Sequence, residues 1–173
     1  MTENKMKEIR LEKLTLNMCA GNDAPKIEKS KSIIKTIAGK DAVITKTHRR
    51  TNFGMPKAKA IGAKLTLRGD EALELLKKLI QAKDNRIKPS QFDTSGNFSF
   101  GIHEYINIPG IKYNPDAGML GLDVCATLER RGYRVKKRKT RQAKVGKKHI
   151  ITIPEAIKWA KSILGVVVSE DEE

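Results

Sequence analysis

Four stretches of this chain alternate apolar and polar residues with a period of two, and that alternation constrains the fold more than any other feature. Leu14, Leu16 and Met18 alternate with Thr15, Asn17 and Cys19. Ile61, Ala63, Leu65 and Leu67 alternate with Gly62, Lys64, Thr66 and Arg68, and Phe98, Phe100 and Ile102 with Ser99, Gly101 and His103. Leu120, Leu122, Val124, Ala126 and Leu128 mark the fourth. Successive strand side chains point to opposite faces, so each stretch reads as a strand with one buried and one open face. Residues 42–46 read as a further short strand. Helical spacing replaces the alternation at Ile27, Ile33, Ile34 and Ile37, between Pro25 and Gly39. It recurs after Gly69-Asp70, with Leu73, Leu76 and Ile80 on one stripe and Leu75 and Leu79 beside it. A last helix opens on Thr152 and Glu155, which fit a capping box, buries Ala156, Ile157, Ala160, Ile163 and Leu164, and stops at Gly165.

Runs of neighbouring strands separated by helices predict an α+β fold: a two-layer sandwich, mostly antiparallel sheet with helices packed on one face, plus a basic arm. The chain of 173 residues suits one domain spanning 1–173. A folded core is expected over 8–165, the basic arm over 136–148, and flexible ends over 1–7 and 169–173.

Charge narrows the function. The net charge is +15, from 35 Lys and Arg against 20 Asp and Glu, and four of those acids lie in the last five residues. A body this basic repels itself unless a partner neutralises it, and a phosphate backbone does so while releasing counterions. The densest run is residues 136–148, with eight Lys or Arg in thirteen positions, including Lys136, Lys137, Arg138, Lys139 and Arg141. No apolar period supports a fold there, so a mobile arm or long loop is expected that orders on RNA; a solvated charge run or nuclear-import patch shares the pattern. The open strand faces would present Thr15, Asn17, Lys64, Thr66 and Arg68 to phosphates and ribose hydroxyls, although an ordinary solvated sheet face reads the same way. The turn over residues 17–23 contains one glycine, Gly21, and is a weak anion-binding signal.

Other chemistries find little support. Phe98 and Phe100 share an apolar face with Ile102, which favours core packing over base stacking. There is no phosphate-loop, nucleophile-elbow or HExxH motif. Adjacent His103 and Glu104 point to opposite faces of a strand, and Asp123 and Cys125 lack a histidine, so no enzyme is expected. Cys19 and Cys125 have no CxxC partner, and three scattered histidines complete no zinc set, so no metal or cofactor is expected. No run approaches a membrane span, which points to a soluble, cytoplasmic protein with no membrane partner.

Four blocks in order carry a resemblance: LTLNMCAGN (14–22), AKLTLRG (63–69), FDTSGNFSFGIHEYINIPGIKY (92–113) and GLDVCATLERRGYRVKKRK (121–139). Together they resemble the universal L-five family of large-subunit ribosomal proteins, L-eleven in eukaryotes, in its archaeal or eukaryotic type, over roughly residues 8–164. The resemblance implies a structural protein of the large subunit. It would bind 5S ribosomal RNA, anchor it in the central protuberance, and partner the L-eighteen family protein and large-subunit ribosomal RNA. It would place Asn17, Gly21, Asn22 and Lys26 at the RNA surface, with Lys64 and Arg68 added from the sheet. It implies that the loop of Arg49, Arg50, Asn52, Phe53, Gly54, Met55, Pro56, Lys57 and Lys59 reaches the elbow of peptidyl-site transfer RNA. Pro109, Gly110, Ile111, Lys112, Tyr113 and Asn114 would bridge to the S-thirteen family protein of the small-subunit head.

Overall fold

A computed structural model describes residues 4–21, 23–50, 56–111 and 118–168. Its strands are β1 (Ile9–Cys19), β2 (Val43–Lys46), β3 (Ala60–Leu67), β4 (Arg86–Ile87), β5 (Phe98–Ile102), β6 (Leu122–Arg130) and β7 (Val167–Val168). Its helices are α1 (Ala24–Ala38), α2 (Asp70–Gln81), the single turn α3 (Arg134–Lys137) and α4 (Ile153–Leu164). Five strands form one sheet in the order β2-β3-β1-β6-β5, and β4 and β7 form a second, parallel pair. The class is therefore α+β, as the alternation predicts. Backbone proximity divides the chain into two compact units, one of residues 1–14, 68–99 and 125–173, the other of residues 15–67 and 100–124.

In the second unit, β2 and β3 pair antiparallel, with Val43 opposite Lys64 and Thr45 opposite Gly62. Helix α1 packs on β3 and turns Ile27, Ile33 and Ile34 inward, where Ala63 and Leu65 are buried. Gly39, with φ of 68°, ends the helix by accepting the left-handed conformation that a Cβ disfavours. Gly62 serves a different purpose. A Cβ there would collide with the carbonyl oxygen of Met18, so β1 and β3 approach at bare backbone. The Ile61 carbonyl then accepts from Ala20 N–H at 3.0 Å, extending the ladder beyond β1.

In the first unit, α2 buries Ala72, Leu75, Leu76, Leu79 and Ile80, whereas Leu73 is only half-buried at the rim. Phe98 is buried and its ring lies 5.3 Å from that of Phe92. Gly96, with φ of 77°, turns the chain between these two; a Cβ there would lie 2.6 Å from Ile151 Cγ2. Helix α4 starts as its capping residues predict: Glu155 accepts from both the N–H and the hydroxyl of Thr152, each at 3.0 Å. Its buried face differs from the predicted one. Trp159 is buried beside Ala156, Ala160 and Leu164, while Ile163 is exposed. The Trp159 indole N–H donates to the Ile9 carbonyl at 3.1 Å, which satisfies the polar handle of a buried ring. The short strands β4 and β7 lie where no alternation is long enough to be read. Residues 5–7 form an exposed 3-10 turn capped by the Asn4 side chain.

Candidate nucleic-acid interface

The second unit carries an open sheet face. Leu16 and Met18 of β1 are buried, which leaves Thr15 and Asn17 half-exposed on the opposite side. On β3, Lys64 is exposed and Thr66 half-exposed between buried Ala63, Leu65 and Leu67. Lys64 makes no ion pair among the described residues, so its charge is available to an outside anion. Gly21 takes φ of 67° in the turn after β1. Lys26, at the start of α1, donates to Asp23 at 2.8 Å. That hydrogen bond holds the Asp23 carboxyl below its ordinary range and raises the Lys26 ammonium, so both stay ionised and the pair carries no net charge. Asn22 lies outside the described residues.

The loop between β2 and β3 is closed at its base by one hydroxyl. Thr47 Oγ1 donates to the Pro56 carbonyl at 2.7 Å and accepts from Lys59 N–H at 3.0 Å. The backbone of Thr47 adds bonds to Lys59 and Ala58 at 2.8 and 2.9 Å. Arg49, Arg50, Pro56 and Lys57 are exposed around this clasp, and Lys59 is half-exposed. Thr47 is absent from the expected site residues; a lone Thr flanking a basic run carries no distinctive signal. Asn52, Phe53, Gly54 and Met55 lie outside the described residues. So do Lys112, Tyr113 and Asn114. Pro109 and Gly110 are exposed, and Ile111 N–H donates to the carbonyl of buried Ile108 at 3.3 Å.

The first unit carries Arg68, exposed just beyond β3, and the basic run 136–148. The run is a long loop between the end of α3 and a 3-10 turn at residues 147–149, with no helix or strand over residues 138–146. Its first residues complete α3, and Arg138 N–H donates back to Arg134 at 2.9 Å. The Arg138 guanidinium donates to the Arg141 carbonyl at 2.7 Å, the Gln142 amide to the Lys136 carbonyl, and Ala143 N–H to Val135 at 3.2 Å. Tyr133 closes the far end through its hydroxyl to the His149 carbonyl at 3.1 Å. Lys136, Arg138, Lys139 and Arg141 remain exposed and form no ion pair among the described residues.

Lys137 differs from these four. Its ammonium lies 2.7 Å from Glu129 and 2.8 Å from Glu12, and Arg10 meets Glu129 at 2.6 Å. The Glu129 side chain is only 9% exposed. Burial pulls its carboxyl upward, but the bonds from Lys137 and Arg10 outweigh that and hold it below the ordinary range. Nearby, Arg130 is 5% exposed and meets Glu155 at 2.7 Å. Spacing could not foretell these pairs, because strand and helix bring together residues far apart in sequence.

No group of three metal-ligating side chains occurs among the described residues. No described helix is long and apolar enough to cross a membrane.

Comparison with known proteins gives these exposed cations a context. Residues 60–152, more than half of the chain, match the C-terminus of the ribosomal L-five-P family. The large ribosomal subunit protein uL5 of Nanoarchaeum equitans is 44% identical, over 96% of this chain and 99% of its own. Its counterparts in Cenarchaeum symbiosum and Archaeoglobus fulgidus are 44% and 40% identical, over 94% and 96% of this chain and 97% and 93% of theirs. These are ribosomal structural proteins, not enzymes, and the chain belongs to the uL5 family of the large ribosomal subunit, in its archaeal and eukaryotic type.

Proposed function

We propose that this protein binds 5S ribosomal RNA and anchors it in the central protuberance of the large subunit. The observation that carries the reading is the separation of free from paired cations. Lys64 of the second unit, and Arg68, Lys136, Arg138, Lys139 and Arg141 of the first, are exposed and form no ion pair among the described residues. Phosphate contacts from such residues position a protein on RNA, and the fixed spacing of a sheet selects shape over base sequence. Buried Phe98 and Phe100 offer no stacking platform, which favours backbone recognition.

The finer contacts follow the same reading. Asn17, Gly21 and the 5S-facing sheet would meet RNA, together with large-subunit ribosomal RNA and the L-eighteen family protein. The clasped loop around Arg49, Arg50 and Lys57 would reach the elbow of peptidyl-site transfer RNA. The segment beginning at Pro109, Gly110 and Ile111 would bridge to the S-thirteen family protein, with the protein acting in the cytoplasm during translation and subunit assembly.

The test is binding of 5S ribosomal RNA against an equal-length structured competitor, across a salt series centred on about 150 mM. A preference of about 100-fold that persists as salt rises is the expected result. Equal affinity for both RNAs, collapsing with salt, would leave a general polyanion binder instead.

A further inference from the structure

We propose that Glu12 and Glu129 are positioning residues for RNA binding: through Lys137 they fix the root of the basic arm, so that Lys136, Arg138, Lys139 and Arg141 are set in place before RNA arrives. The inference rests on reading the arm as an RNA contact, and it reassigns Lys137 from phosphate ligand to anchor.

Three observations support it. The first is charge balance. Arg10 and Lys137 meet Glu12 and Glu129, two cations against two carboxylates, with contacts of 2.6 to 2.8 Å. The carboxylates are the less exposed members, Glu129 buried with its side chain at 9% exposure and Glu12 half-buried at 16%, while Lys137 is 42% exposed. A phosphate approaching Lys137 would meet two acids. To capture the ammonium it would have to take one of the two cations from the buried Glu129 and the one described ion pair from the half-buried Glu12, an unfavourable exchange. The second observation is that the arm folds on its own root. Bonds from Arg138, Gln142 and Ala143 all return to residues 134–136, so whatever fixes α3 fixes the arm as far as residue 143. The third is the closure of the far end by Tyr133, itself buried, onto His149. Lys137 then supplies orientation, and Tyr133 fixes the span.

An arm held in this way loses less conformational freedom on binding than a floppy one, and the difference appears as affinity. This leads to an outcome opposite in sign to that of simple electrostatics. Removing a negative charge from a basic RNA-binding protein should tighten binding by reducing repulsion. Removing Glu129 as an anchor should weaken it.

The experiment measures 5S ribosomal RNA affinity over a salt series for the parent, Glu129→Gln, Glu12→Gln, Lys137→Met and Lys137→Arg, with hydrogen exchange of the Arg138 and Ala143 amides in parallel. Expected are a loss of about tenfold in affinity for Glu129→Gln and Lys137→Met, an unchanged salt slope for both, and faster exchange at the two arm amides. Lys137→Arg should restore both readouts. Glu12→Gln, at the more exposed carboxylate, gives a milder variant of the same sign should Glu129→Gln fold poorly. Affinity that rises or stays level in both acid variants would overturn the positioning role. So would a salt slope that falls by about one phosphate contact in Lys137→Met. A fourfold variant, K136A/R138A/K139A/R141A, tests the reading beneath: if it binds 5S RNA like the parent, the arm is no RNA contact, and that result is separate from the exchange data on anchoring.

Discussion

The indole N–H of Trp159 donates to the carbonyl of Ile9 at 3.1 Å, joining the last long helix to the first strand across 150 residues of sequence. The ring is buried, so the bond and the packing contribute together. Trp159→Phe keeps most of the apolar contact and leaves the carbonyl without its donor, which should cost about 1–2 kcal/mol. Trp159→Ala adds a cavity and should cost about 3–5 kcal/mol. Chemical denaturation of both variants checks the order and the spacing.

Acid should weaken the first unit through Glu129 and Glu155. Both carboxyls are held below their ordinary value of 4.5: Glu129 against its burial, by Lys137 and Arg10, and Glu155 first by the Thr152 N–H and then by Arg130. Groups with lowered folded values contribute stability above the unfolded value and lose it as pH falls through the folded one. Stability measured by denaturant midpoint should therefore hold from pH 7 to about 5 and decline below the unfolded value near 4.5. Glu129→Gln should be less stable at pH 7 and should show a shallower decline in acid.

Gly62→Ala should be among the most damaging single-methyl additions to the chain. The new Cβ meets backbone, the Met18 carbonyl, which cannot rotate away. Overpacking of this kind costs about 1–3 kcal/mol or more. Gly21→Ala, where a Cβ meets nothing, should cost only the strain of its φ of 67°, roughly 1 kcal/mol. Comparing the two midpoints separates collision from backbone strain.

Thr47→Val should leave global stability nearly unchanged and loosen the loop. The hydroxyl both donates to Pro56 and accepts from Lys59, so its loss removes two bonds at once, while the backbone bonds of Thr47 to Lys59 and Ala58 remain. Amide exchange at Lys59 should quicken by roughly tenfold, the scale of one neutral hydrogen bond. Exchange in β1 should not change.

Lys64→Ala should weaken 5S RNA binding more than Lys26→Ala. Lys26 is already matched by Asp23 at 2.8 Å, whereas Lys64 has no described ion pair. One lost phosphate contact lowers the salt slope by roughly 0.7–0.9, and that reduction should appear for Lys64→Ala alone.

The alternating strands were readable because burial of one face imposes a local rule that repeats every second residue. Leu14, Leu16 and Met18 obey it, as do Phe98, Phe100 and Ile102, and all six are buried. The last helix was readable in its start but not in its face. Its spacing also admits Ile163, which is exposed at 39%, and equally admits Trp159, three residues after Ala156; Trp159 is buried and finds an acceptor in β1. The basic run was readable as charge and as a loop, but its root was not. Helix α3 is one turn long, too short for a period, and its anchor is a pair of acids from β1 and β6. The free cations of the proposed interface could be named individually, whereas their sorting from paired ones, Lys64 from Lys26 and Lys136 from Lys137, depends on distances that only the fold sets.

The bond between Trp159 and Ile9 also imposes an order in time. A nascent chain emerges at about 5–20 residues per second, so the Ile9 carbonyl waits roughly 8–30 s before its indole donor is synthesised. The unit of residues 15–67 and 100–124 has its last residue in hand well before that. Birth of this protein is therefore staged, with the basic arm made before the helix that completes its own half of the molecule. During that interval the chain already carries its basic arm, whereas the four acids of residues 170–173 are not yet made.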